Sequence, residues 1–203
     1  MGRSTTSSLR SHAGPWLWKE AIVLQINRVV QAQHAIHRER QVILEELDEA
    51  AGEGNFTSTP RPAPAGMFRP DGVAFYNQQE ADCHFLLFAI RHILRIARAR
   101  REDRRVASAH DAFLKAFPQS ENLRNILEHL DAYEKGEGKL QEPGAGVDPD
   151  DRNVFIRSDV DDPEGEIYYH FGFGIDVPLK AAAKAAVELA DLLEKVEEED
   201  SGR

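Results

Sequence analysis

The stretch Phe85-Leu86-Leu87-Phe88-Ala89-Ile90-Arg91-His92-Ile93-Leu94-Arg95-Ile96 decides the fold class. Wound on a helical period, its apolar residues fall on most sides of the cylinder, so a helix over about 75–101 is expected at the centre of a helical bundle. Upstream, Ile22, Ile26, Val29, Ile36, Ile43, Leu47 and Ala50 recur at alternating three- and four-residue steps, with Val23, Val30 and Leu44 widening the stripe. That pattern predicts a first helix from about Pro15 to Ala50, interrupted on its apolar face by Gln33 and Arg40. A helix of that length runs ~50 Å at 1.5 Å per residue, more than a small domain covers. Two readings stay open: part of it pairs with another chain, or it kinks onto its own domain.

Downstream, the apolar pattern predicts a helix over about Val106 to Phe117, stopped by Pro118. Ser120 is expected to cap a helix over 121–134, with Leu123, Ile126, Leu127 and Leu130 as its buried stripe and Gly136 and Gly138 as its stop. Residues 153–157 and 166–175 read as strands; in the second, Ile167, Tyr169, Phe171, Phe173 and Ile175 alternate with Tyr168, His170, Gly172 and Gly174. Asp161-Asp162-Pro163-Glu164-Gly165 between them is turn chemistry. Asp176 and Pro178 are expected to open a last helix reaching about Glu198. The expected architecture is mainly α: a helical bundle with a small antiparallel β-hairpin before the last helix. It divides into a disordered tail over 1–14, one helical domain over 15–199 and a tail over 200–203. Within the domain, the prolines at 60, 62, 64 and 70 mark a mobile loop over 52–72, a second loop covers 136–151, and the hairpin covers 152–175.

The formal charge of the 203 residues is −10, which argues against a general nucleic-acid coat. The charge is unevenly spread. Arg91, Arg95, Arg98, Arg101 and Arg105 crowd one region with Arg100 and Arg104, and are candidates for phosphate contacts on a local basic patch. Glu197 to Asp200 forms an acidic run. The single cysteine, Cys83, excludes an internal disulfide and suits a reducing, cytoplasmic setting; it reads as a small core residue. No apolar run reaches membrane-spanning length, and the polar N-terminus lacks the apolar core of a secretory signal.

Arg124-Asn125-Ile126-Leu127-Glu128-His129 carries the most specific chemistry. An arginine followed by a polar residue, with a histidine five positions on, resembles the motif of the HEPN superfamily. The longer stretch Leu123 to Lys139, with Glu128-His129-Leu130-Asp131 and Gly136-Glu137-Gly138, is also similar to uncharacterised actinobacterial proteins in which such a segment precedes a hairpin and a last helix. The HEPN resemblance implies a helical bundle whose motif sits near the start of a late helix. Many members are metal-independent endoribonucleases, and others bind without cutting. It further implies a homodimer in which two protomers bring their motifs together across a cleft, with RNA as ligand. Arg124, Asn125 and His129 become the candidate catalytic residues: His129 moves the proton of the 2′-hydroxyl, Arg124 stabilises charge on the phosphate, and Asn125 orients either group. Asn125 and His129, four apart, share a helix face, whereas Arg124 lies about 140° from His129 and must wrap round or act from the second subunit.

Other spacings are weaker. Arg105 and His110 repeat the Arg-x4-His interval, with Val106 where a polar neighbour belongs. His34 and His37 sit one turn apart but want a third ligand. Pro163 and His170 occupy ligand positions of an EF-hand register, so Asp159 to Glu164 is an acidic turn. Neither a metal nor a cofactor is expected. A structural reading of the main motif also stands, in which Arg124 pairs with Glu128 on the surface and His129 borders the core. Two functions follow: a HEPN-like ribonuclease, or a non-catalytic interaction module whose long first helix and hairpin meet a protein partner.

Overall fold

Polar groups trapped between two long helices fix how those helices pair. The computed structural model describes residues 14–52, 70–120, 138, 155–158, 162, 164–170, 172 and 174–202. Helix α1 spans Pro15–Gly52 as one continuous 38-residue helix, and α2 spans Pro70–Ala99. Gln79 of α2 is buried and donates to the Val29 carbonyl at 3.5 Å and to Gln33 Oε1 at 3.4 Å. Gln33 in turn donates to Ser158 Oγ. Gln33 therefore breaks the apolar stripe because it links α1, α2 and the sheet and gives the buried Gln79 Nε2 an acceptor, while Gln79 Oε1 has no partner among the described residues. Arg28 pairs with the buried Asp82 at 3.2 Å, and Trp18 stacks on His92 at 4.0 Å between centroids. These pairs run in opposite directions along the chain, so α1 and α2 are antiparallel.

Helix α2 starts at Pro70, earlier than expected: a proline at the first helical position has no amide to lose, so Pro70 opens the helix instead of closing the loop. The all-round apolar reading of α2 is also amended. Cys83, Leu86, Leu87, Ala89, Ile90, Ile93 and Ala97 are buried, but Phe85 and Phe88 are 60% and 43% exposed on the opposite face. Helix α3, Arg104–Ala116, begins two residues before expectation because Asp103 caps it, accepting from the Arg105 amide at 2.8 Å. Ser120, expected to cap the next helix, is already helical together with Gln119, and its buried Oγ has no partner among the described residues. The helix expected over 121–134, the loop over 136–151 save Gly138, most of the loop over 52–72 and the tail over 1–13 lie outside the described residues.

The antiparallel sheet has three strands in the order β1-β2-β3: Phe155–Ser158, Ile167–His170 and Asp176–Pro178. Phe155 pairs with His170 and Ser158 with Ile167; Tyr168 pairs with Pro178 and His170 with Asp176. The strand expected to run through Ile175 stops at His170. Gly172 and Gly174 take φ of 86° and 71°, the left-handed region that glycine enters without penalty, and Ile175 N–H closes the turn on the Gly172 carbonyl at 3.0 Å. The chain reverses there, so Asp176 and Pro178 form β3 and the last helix, α4, spans Leu179–Ser201. Pro178 offers α4 no side-chain cap. Glu166 supplies one from the sheet, its carboxylate accepting from the amides of Lys180 at 2.7 Å and Ala181 at 3.0 Å.

The inner sheet face, Ile167, Tyr169 and Val177, joins one core with Ile22, Val29 and the buried face of α2. Helix α4 contributes Leu179, Leu189, Leu193 and Val196, and its Ala182, Ala183, Ala186 and Ala190 have side chains small enough for neighbouring backbones to come close. Each fully buried Leu or Ile contributes about 1.5–3 kcal/mol over exposure. The mainly helical architecture with a small antiparallel sheet before the last helix is the one the sequence implies. Among the described residues, no helix is long and apolar enough to cross a membrane.

Candidate functional site

The candidate catalytic residues Arg124, Asn125 and His129 lie outside the described residues. Of the other candidate features, the structure describes the arginine-rich end of α2, helix α3 and several buried or half-buried histidines.

The arginines divide into two groups. Arg100 binds Glu197 at 2.8 Å and reaches Asp200 at 3.9 Å. Arg101 binds Asp111 at 2.9 Å. Arg105 holds Asp103 at 2.7 Å and Glu199 at 2.8 Å. The acidic run near the C-terminus is thus the counter-charge of this cluster: α4 lays Glu197, Glu199 and Asp200 against it. Hydrogen bonds from Arg105 hold the Asp103 carboxyl down at about 2 and lower Glu199, and the two carboxylates raise the arginine in return. Exposed pairs of this kind contribute little stability, but they occupy guanidinium donors that a phosphate would need. Arg101 and Arg105, both candidates for phosphate contacts, are therefore engaged within the chain. Arg91 is half-buried on α2. Arg95 and Arg98 are exposed, and no ion-pair partner for either occurs among the described residues. Arg104, at the start of α3, is likewise exposed with no ion-pair partner among the described residues, so the cations open to an anion lie on α2 and at the start of α3.

The second Arg-x4-His match does not form a site. His110 is buried, with Nδ1 at 3.4 Å from Arg101 Nη1 and 3.4 Å from Asp111 Oδ1, so it packs under the Arg101–Asp111 pair instead of facing a cleft. His34 meets Glu164 at 3.3 Å across from the acidic turn, and no group of three metal-ligating side chains occurs among the described residues. Asp162 closes its own turn by accepting from the Glu164 amide at 3.1 Å.

Two titratable groups missing from the sequence reading are set by burial. His84 shares a hydrogen bond with the Tyr169 hydroxyl under the sheet, and desolvation lowers its pKa from the ordinary value. His92, stacked on Trp18, is lowered by burial and by Arg91 and Arg95 beside it. Cys83 is buried, and burial pushes its thiol up to about 12, with Asp82 and Glu80 adding to the shift. The thiol is a core group at neutral pH and not a nucleophile.

An open groove between α1 and α4 has an apolar floor of Ile26, Val30, Ala183 and Val187, with Lys184 and Glu188 on its rim. Lys180 and Asn27 complete its lining, which holds no histidine or cysteine. No protein-family model, no curated protein and no solved structure matches this chain.

Proposed function

We propose that this chain is a HEPN-like helical protein that cleaves RNA without a metal through Arg124, Asn125 and His129. The observation that carries the reading is the Arg124-Asn125…His129 motif in a chain whose body is mainly helical. His129 takes the proton from a ribose 2′-hydroxyl, and that oxygen attacks the adjacent phosphorus. The bond to the 5′-oxygen of the next nucleotide breaks, and this leaving oxygen receives the proton held by the imidazolium. The products are a 2′,3′-cyclic phosphate and a free 5′-hydroxyl. Arg124 stabilises the charge that builds on the phosphoryl oxygens, and Asn125 orients the ring or the phosphate. Of the candidate phosphate-binding arginines, Arg95 and Arg98 are available for the flanking backbone. The same reading gives the chain a second copy as partner and a reducing, cytoplasmic setting, where Cys83 remains a thiol.

Purified protein is expected to cleave single-stranded RNA in the presence of EDTA and to leave cyclic phosphate ends. His129→Ala and Arg124→Ala are each expected to lose about 10²-fold or more, while His110→Ala keeps its cleavage rate. Cleavage that survives His129→Ala would overturn the reading. So would failure to cut any RNA, which leaves the non-catalytic interaction module.

A further inference from the structure

The apolar stripe of α1 outruns the length of α2 it packs on. Ile22, Val29 and Ala32 are buried in the core, and Ile36 is half-buried. Ile43, Leu44 and Leu47 continue the stripe, yet Leu44 and Leu47 are 44% and 51% exposed. The pairing register explains this. Arg28 lies opposite Asp82 and Gln33 opposite Gln79. Counting back along α2, its first residue, Pro70, falls level with residues 40–42 of α1. About three turns of α1 run on past that point.

Among the described residues, Arg40 and Asp48 on this overhang have no opposite charge beside them. Arg40, Leu44 and Asp48 follow one another at four-residue steps, each turned only about 40° from the last, so they share a face. Arg40 and Asp48 stand ~12 Å apart along the axis, beyond bonding distance in one helix. The positions three and four beyond Arg40 are Ile43 and Leu44. Among the described residues neither Arg40 nor Asp48 has an ion-pair partner. Glu45, Asp48 and Glu49 also crowd toward a helix end that has no basic residue in its last turn, against the helix dipole.

We infer that the overhanging end of α1 is an interface with a second copy of this chain, paired antiparallel and crossing at Leu44. In that arrangement Arg40 of each copy faces Asp48 of the other, and Leu44 and Leu47 are covered. A parallel pair would set Arg40 against Arg40 and Asp48 against Asp48. The overhang is already helical because the rest of α1 is held in the core, so pairing carries no nucleation cost. The inference does not rest on RNA cleavage and survives its failure.

The test is sedimentation equilibrium of the full chain over a concentration series. Wild type is expected to move from monomer to dimer. Leu44→Glu with Leu47→Glu is expected to raise Kd about 30-fold or more, the scale of a lost hot spot, with helicity by circular dichroism retained. Arg40→Asp alone and Asp48→Arg alone each weaken the dimer. Both together in one chain restore it, a rescue that antiparallel pairing gives and parallel pairing does not. A chain that stays monomeric throughout, a dimer indifferent to Leu44→Glu with Leu47→Glu, or a double charge reversal that fails to restore association overturns the inference.

Discussion

His84 shows how a single side chain sets a pH dependence for the fold. It sits on α2 beneath the sheet, bonded to the Tyr169 hydroxyl, and burial disfavours its charged form. An imidazole in the unfolded chain titrates near 6.5. The folded-state value is lower, so between the two the unfolded state binds the proton more readily. Stability is complete above the unfolded value and falls as pH drops toward the folded one. His92 acts in the same direction, through burial and the nearby Arg91 and Arg95. Tm is therefore expected to decline from about pH 7.5 to about pH 5.5. His84→Gln, which keeps a hydrogen-bonding group and removes the titration, is expected to flatten that decline. An equal slope in wild type and variant would show that His84 does not carry it. At this scale the sequence is legible where burial alone decides: Cys83 stands in an apolar helix and is a core thiol. His84 and Gln79 were not legible, because their partners, Tyr169 and Gln33, are far away in the chain.

At the level of elements, local pattern found the helices and missed the places where distant residues finish them. The alternation from Ile167 to Ile175 reads as one strand because its apolar positions keep a period of two. The two glycines on the other register, Gly172 and Gly174, reverse the chain inside that pattern. Pro178 looks like the opening proline of a helix, and only the pairing of Tyr168 with Pro178 makes it the end of a strand. Whether α1 kinks was open from sequence, and the structure answers it with one unbroken helix. The cap of α4 is the clearest case of long-range completion. Nothing near Pro178 can satisfy the first amides, and Glu166, on the far side of the turn, does so. Glu166→Ala is expected to lower unfolding stability by about 1–2 kcal/mol, the upper range for a cap. Glu166→Gln, which keeps acceptor oxygen but loses the charge at the helix N-terminus, is expected to lose less. Urea denaturation measures both, and a Glu166→Ala variant as stable as wild type would show that water caps the helix equally well.

For the whole molecule, the question is how a chain of charge −10 could hold RNA. The arginine-rich region implies a local basic patch, and the positions of those arginines are plain in the sequence. What the sequence hid was their neutralisation, because Glu197, Glu199 and Asp200 reach Arg100 and Arg105 only once α4 folds back against them. Among the described residues, Arg95, Arg98 and Arg104 have no carboxylate partner, and they leave a small contact area inside a repulsive field. Each phosphate neutralised on a single strand contributes about −0.7 to the slope of log K against log salt. If Arg95 and Arg98 meet one phosphate each, Arg95→Gln with Arg98→Gln is expected to reduce the magnitude of that slope by about 1.4. Arg105→Gln is expected to leave the slope unchanged, since its guanidinium already serves Asp103 and Glu199. Fluorescence anisotropy with a labelled single-stranded RNA and the cleavage-silent His129→Ala background separates binding from cutting. An unchanged slope in the Arg95 and Arg98 variant would remove this face of α2 from the RNA path. A reduced slope in Arg105→Gln would mean that RNA displaces the carboxylates of α4, so that binding and the packing of the last helix compete for the same guanidinium.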